Sequence, residues 1–359
     1  MPRHVNLPQL SNDPDIPLLR FGMIGFDASQ RLQIESIVDA LPAQTVMWQS
    51  GAMADADARL VCGEKTRASP TSKTTGIESV RILAGLPSEM AVTLNLSQID
   101  RPLAFSLPLH DPAMEPLFTF DVAHPGSLQT VLKEFEQRLK SLRSQHVLGK
   151  QLIEREIDLT AANYHILQGG KLLAVMDLIT WKIGMLPDTD PEQFEDALWE
   201  KRPLGGYDIP NSFAMTDAAQ LRWIYAQHTA RNVLPIRYRR GLIYLRQPPH
   251  IPISWLSDSH LRLIYVLSKQ PATLMDLVDR TGLSYKALTR DLACLYFAAA
   301  LTVSPSKAVQ ADAGNADQSR KNSQNASGNP SNIYDYGWPP DHGKLKHEDT
   351  TVTAQLRPE

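Results

Sequence analysis

Between Ala218 and Ser257 the chain carries six arginines, Arg222, Arg231, Arg237, Arg239, Arg240 and Arg246, and no Asp or Glu. Trp223, Tyr225, Tyr238 and Tyr244 are interleaved with them. A guanidinium presents a planar fork of donors that matches a phosphate and stacks on a base. Aromatic faces stack on nucleobases as well. The chemistry implied is non-covalent capture of a phosphate-rich ligand, with Arg231, Arg237, Tyr238, Arg239, Arg240 and Arg246 as candidate contacts. A nucleotide second messenger such as a cyclic dinucleotide is a ligand of that kind. The competing reading is structural, with some arginines paired to the acidic run at 188–200 and others merely exposed. Alternation in Ile236 to Leu245 predicts a strand-turn-strand with Gly241 at the bend, which sends successive arginines to opposite faces.

A second pattern follows directly. Ser257 is placed to cap a helix carrying Leu261, Ile264 and Leu267, and Pro271 ends it. Thr273 caps a short helix that stops at Gly282, and Ser284 caps a third with Leu288, Leu292, Leu295 and Tyr296 on one face. Capped helices around a Thr-Gly-Leu turn make a helix-turn-helix pattern. The stretch Leu274 to Thr302 (LMDLVDRTGLSYKALTRDLACLYFAAALT) resembles the winged-helix domains of bacterial transcription regulators. That resemblance implies that Ser284, Tyr285, Lys286, Thr289 and Arg290 face DNA, or a partner protein, from the recognition helix. Residues 258–303 hold five basic and four acidic side chains, a weak excess for a DNA-binding surface. After the third helix a single strand, Leu301 to Val303, stands where a hairpin wing is expected.

Nothing comparable points to catalysis. The ten histidines form no His-Glu-x-x-His or similar metal spacing, and His228, His250 and His260 read as surface or hinge residues. Gly63-Glu64-Lys65-Thr66 lacks the earlier glycine of a phosphate-binding loop, and no Gly-x-Ser-x-Gly elbow is present. We therefore expect a non-enzymatic protein with no cofactor and no metal. Two cysteines exclude a disulfide scaffold and suit a reducing compartment. A net charge of −3 argues against a surface that coats polyanions as a whole. With no apolar run of membrane-spanning length and no secretory h-region near the N-terminus, a cytoplasmic protein without membrane contact is expected.

The elements that must hold these residues divide the 359 residues into five parts. Residues 1–16 read as an unstructured lead-in. Residues 17–144 alternate strands and helices: strands at 18–26, 45–49, 60–62, 80–84, 91–96 and 103–107, and helices at 28–41 and 127–142, which favour an α/β layer fold with a largely parallel sheet. Residues 145–257 form an α+β middle region opened by a hairpin with Gly169-Gly170 at its turn and containing an acidic helix near 192–200. Residues 258–303 are the three-helix module. Residues 304–359, poor in aliphatics, read as a disordered tail whose one aromatic cluster is Ile333 to Trp338.

The order of elements in 17–144, and the junction Phe118 to Leu132 (FTFDVAHPGSLQTVL), resemble the receiver domain of response regulators, a flavodoxin-like fold. His124, beside Pro125, holds the place of that family's lysine. Cys62-Gly63 stands where its phosphoacceptor aspartate ends the third strand, and Asp27 alone stands where an acidic pair is expected. The resemblance implies a pseudo-receiver that is not phosphorylated in the family's manner, coupled to a winged-helix-like output, and a possible homodimer.

Overall fold

The computed structural model describes residues 15–42, 45–68, 79–82, 92–95, 101–110, 116–203 and 209–309. Residues 1–14 of the expected lead-in, and 310–359 of the expected tail with its aromatic cluster, lie outside them.

All seven residues of strand β1 (Leu18–Ile24) are buried, as in a central parallel strand covered on both faces. Asp27 then accepts a hydrogen bond from the Gln30 amide and opens α1 (Ala28–Asp39). After β2 (Met47–Ser50) and β3 (Ala58–Val61) comes a small antiparallel sheet of β4 (Thr66–Ala68), β5 (Ser79–Ile82) and β6 (Val92–Asn95). β7 (Leu103–Leu107), β8 (Thr119–Asp121) and α2 (Pro125–Arg138) complete the region. The five-stranded sheet runs β2-β1-β3-β7-β8 with every pairing parallel. The chain therefore reverses its direction of growth beside its first strand, as doubly wound sheets do. Leu19, Phe21 and Leu60 pack with Ile34 and Val38 of α1 and with Leu128, Leu132 and Phe135 of α2. The other face carries Ile24, Val61 and Phe105.

The helix expected at 127–142 is two helices. α2 ends at Leu139, whose backbone (φ −91°, ψ 14°) turns the chain into α3 (Lys140–Glu154), so the expected boundary at 144 falls inside a helix. Val147, Leu148 and Leu152 of α3 lie in the core of the next sheet. That sheet is antiparallel, ordered β12-β9-β10-β11-β13, from β9 (Asn163–Gln168), β10 (Lys171–Asp177), β11 (Lys182–Met185), β12 (Leu198–Arg202) and β13 (Ala214–Asp217). Gly169 and Gly170, both at positive φ, make the expected turn between β9 and β10. The acidic segment gives only the short helix α4 (Pro191–Glu195) before β12.

Helix α5 (Ala218–His228) crosses α3 so closely that a Cβ on Gly149 would fall 2.3 Å from the Leu221 carbonyl oxygen. Ala218 and Leu221 enter the antiparallel-sheet core, whereas Trp223 and Ala226 enter the last core. The expected strand-turn-strand at 236–245 is instead α6 (Ile236–Arg240) and β14 (Tyr244–Leu245). The helix forms because it buries Tyr238 among the C-terminal helices. Those are α7 (Asp258–Lys269), α8 (Leu274–Thr281) and α9 (Tyr285–Phe297), followed by β15 (Leu301–Thr302), which pairs antiparallel with β14. Thr273 and Ser284 cap α8 and α9 through their side chains, and Gly282, at φ 68°, ends α8 in the left-handed conformation. Order runs past the expected boundary at 303: the Val309 amide donates to the Leu245 carbonyl, alongside the 3-10 turn Pro305–Lys307.

Candidate functional site

Arg20 interrupts the apolar run of β1, and its side chain leaves the sheet on the face away from α1 and α2. Its backbone is locked to Asp57: the Arg20 amide donates to the Asp57 carboxylate at 2.8 Å, and the Asp57 amide donates to the Arg20 carbonyl at 2.7 Å. The guanidinium donates to the Gln227 carbonyl at the end of α5, at 2.9 Å. Gly51 lies against the stem, where a Cβ would sit 3.3 Å from Arg20 Cβ and Cδ. His228 lies 3.2 Å from the Leu18 carbonyl through Nδ1 and 3.6 Å from Asp57. The N-terminal sheet is thus fastened to the end of α5.

A second fastening joins the same domain to α9. Arg290 donates from Nε to Asp291 at 2.8 Å and from Nη2 to Asp55, in the β2–β3 loop, at 3.2 Å. Burial works against the Arg290 charge, but Asp291, Cys294 and Asp55 outweigh it and hold the guanidinium above its ordinary pKa. Burial, and then the neighbouring Arg290 charge, pull Arg20 below its own. Asp291 is fully buried, with Oδ2 lacking a hydrogen-bond partner. His260 Nδ1 accepts from the Ser257 amide at 3.2 Å, which leaves Nε2 directed at Asp291 Oδ1, 3.8 Å away. Contrary to expectation, His228 and His260 are buried, and burial holds both below the ordinary histidine pKa.

Asp15 supplies a third fastening and corrects the expectation of an unstructured lead-in at its last residues. Its carboxylate accepts from Tyr225 Oη at 2.5 Å and from Thr229 Oγ1 at 2.8 Å, and lies 3.6 Å from Arg231.

Between these contacts lies a cleft of about 280 Å³ whose walls include Arg20, Ser50, Asp55, Arg231, Lys286 and Arg290. Of the expected recognition-helix residues, Ser284, Tyr285 and Lys286 are exposed. Thr289 is buried and donates to the Tyr285 and Lys286 carbonyls, so it does not face outward. Arg290 points along the same helix side but is covered by the Asp55 loop.

The arginine-rich segment does not converge on one patch. Tyr238 is a core residue: it donates to the Leu301 carbonyl at 3.2 Å and its ring lies 5.1 Å from Tyr296, so it is not available to stack on a base. Arg237 lies over the Tyr238 and Tyr296 rings. Arg239 donates to the Leu234 and Asn232 carbonyls at 2.9 and 2.8 Å. Arg240 is exposed, and Arg246 sits half-buried beside β14, its amide bonded to the Ala300 carbonyl. Arg222 is buried 3.5 Å from Glu156. The acidic run turns instead to α3, where Lys140 and Arg143 approach Asp190 and Glu192 at 2.7 and 3.5 Å.

At the carboxyl ends of the parallel strands, the corner around Cys62 and Gly63 is filled. The Cys62 side chain is fully buried in the core under α1 and α2. The Gly63 amide donates to Ser106 Oγ at 3.1 Å, and a Cβ on Gly63 would meet the Ser106 carbonyl oxygen at 2.0 Å. Asp27 is spent as a helix cap, and the exposed His124 is paired to Asp121 at 2.7 Å.

Among the described residues no group of three or more His, Cys, Asp or Glu is placed to hold a metal ion. No described helix is long and apolar enough to cross a membrane. No family model, curated protein or solved structure matches the chain.

Proposed function

We propose that the protein is a non-enzymatic regulator in which a flavodoxin-like pseudo-receiver domain restrains a winged-helix-like output module that contacts DNA or a partner protein. The observation that carries this reading is the Arg290–Asp55 ion pair, because it ties the second helix of the α8–Gly282–α9 turn to the N-terminal domain. A direct contact at that helix lets one region restrain the other by favouring the state in which the contact is made. Here the contact covers Arg290, one turn along α9 from the exposed Lys286.

Three further features agree. The acceptor corner leaves no room for a side chain at Gly63 and buries Cys62, as a receiver that has lost phosphotransfer would. The pairing of β14 with β15, together with the bridge between Ile243 and Ala272, sets a small sheet beside the three helices in place of a hairpin wing. Two free, buried cysteines fit a reducing cytoplasm. A cyclic dinucleotide held by the 237–246 arginines receives no such support, since Tyr238 and Arg239 are engaged within the fold.

The test is fluorescence anisotropy of a labelled DNA duplex with the full chain and with Asp55→Arg, across a salt series. Restraint of a DNA-contacting helix predicts tighter binding by the variant, with affinity falling steeply as salt rises. Equal binding by both proteins would refute the restraint. Absence of binding by either would leave a protein as the partner of α9.

A further inference from the structure

We infer that the cleft between β1, the segment following α5 and the first turn of α9 is a binding site for a small phosphate ester. The inference goes beyond the reading above, since it holds whether or not α9 meets DNA. Cations from three separate stretches converge on one concavity: Arg20 from β1, Arg231 from the turn after α5, and Lys286 and Arg290 from α9. Asp55 is the one carboxylate among the lining residues, while Asp15, Asp57 and Asp291 stand behind the arginines, so the positive charge left for a ligand is carried by Lys286. Arg231 is itself balanced by Asp15, and Arg290 by Asp55 and Asp291. Lys286 is the exposed cation at the rim.

The cleft also receives the N-terminus of α9, a helix of thirteen residues capped by Ser284. The first amides of a helix have no partner inside it and carry the positive end of its dipole, a combination that favours anions. Ser50 and Asn232 add neutral polar groups to the wall. Burial and then the nearby Arg290 charge work against the Arg20 charge, with Asp57 and Asp55 opposing them, and an anion between the two guanidiniums would add to that opposition.

Size narrows the ligand. About 280 Å³ lies just below the roughly 300 to 1,000 Å³ of drug-sized sites, which suits a phosphate carrying a sugar-sized body. A cyclic dinucleotide exceeds it, and a duplex cannot enter a concavity of that size. A ligand here bridges Arg20 and Arg231 on one wall to Lys286 and Arg290 on the other, and so clamps α9 against the N-terminal domain.

The experiment is a thermal-shift titration of the full chain with inorganic phosphate, ribose 5-phosphate, cyclic di-GMP and a short DNA duplex, repeated with Lys286→Glu and Arg240→Glu. Lys286 and Arg240 are both exposed, and Arg240 lies outside the cleft, so both variants are expected to fold. The expected result is a saturable rise in Tm with ribose 5-phosphate and a smaller one with phosphate. Half-saturation should move at least about tenfold in Lys286→Glu and stay put in Arg240→Glu. No saturable rise, or one unchanged by Lys286→Glu, would overturn the site. A rise as large with cyclic di-GMP or the duplex as with ribose 5-phosphate, lost in Lys286→Glu, would overturn the assignment to a small ester.

Discussion

The Arg290 guanidinium reaches across 235 positions of sequence to the carboxylate of Asp55, at 3.2 Å, while its Nε holds the buried Asp291. One side chain therefore neutralises a core carboxylate and joins two regions of the fold. Both members of the Arg290–Asp55 pair are largely shielded, with side chains 16% and 18% exposed, so solvent screens the contact only in part.

Removing the two ends of that pair has unequal consequences. Asp55→Ala leaves Arg290 with Asp291 as a partner, and a loss of about 1 kcal/mol is expected. Arg290→Ala strands the fully buried Asp291, and about 3 to 5 kcal/mol is expected. A double-mutant cycle read by urea unfolding should return a coupling of about 0.5 to 1 kcal/mol. Zero coupling would mean that the two regions do not depend on this contact.

Acid sensitivity should come from buried histidines before carboxylates. Burial, with smaller contributions from His228 and Lys150, lowers His146 from 6.5 to about 3, and neither ring nitrogen has a hydrogen-bond partner. Above pH 6.5 the ring is neutral in folded and unfolded chains alike. Below it the unfolded chain takes up a proton that the folded one refuses, so stability falls with pH by up to about 1.4 kcal/mol per unit. His228 and His260, also lowered, act with the same sign. Between about pH 7 and 5, His146→Phe should flatten the dependence of Tm on pH, and an unchanged slope would contradict this account.

Two glycines in helices make opposite predictions. Gly149→Ala places a methyl against the Leu221 backbone at the α3–α5 crossing, and a loss of about 1 to 3 kcal/mol is expected from overpacking. A Cβ added to Gly126 in α2 would meet nothing within 4 Å, so Gly126→Ala should gain up to about 1 kcal/mol from helix propensity. Equilibrium unfolding of both variants checks the pair.

Acetyl phosphate is expected to leave no acyl phosphate on the N-terminal region, as judged by mass spectrometry. Cys62→Asp should not create an acceptor, because the new carboxylate would sit where Cys62 packs under α1 and α2. A destabilisation of several kcal/mol is expected instead. Stoichiometric phosphoaspartate in the parent chain would sink the pseudo-receiver reading.

What is legible in the sequence is local. Thr273, Gly282 and Ser284 announce their helix ends because capping depends on a residue and its next few neighbours, and β1 announces itself by an apolar run. The Ile236 to Arg240 segment reads wrongly as a strand because apolar residues two apart suit either a strand or a single turn of helix, and only the core that takes up Tyr238 decides between them. The cleft is illegible for another reason: its charges come from widely separated positions in the chain. Two signals point toward it, namely Arg20 inside an apolar strand and the closely spaced Asp55 and Asp57 before β3. Neither names its partner until the chain is folded.

Helix α5 gives Leu221 to one core and Trp223 to another, and its Gln227 carbonyl to β1. Eleven residues thus act as a shared axle where regulators built as beads on a string have a tether. On the regulatory reading proposed above, a message from the first region would reach the last as a tilt or slide of this shared helix, not by one body diffusing against another. Swapping the last region onto a different protein would therefore carry away a wall of its neighbour, and recombination at the 257/258 boundary should yield parts that do not stand alone.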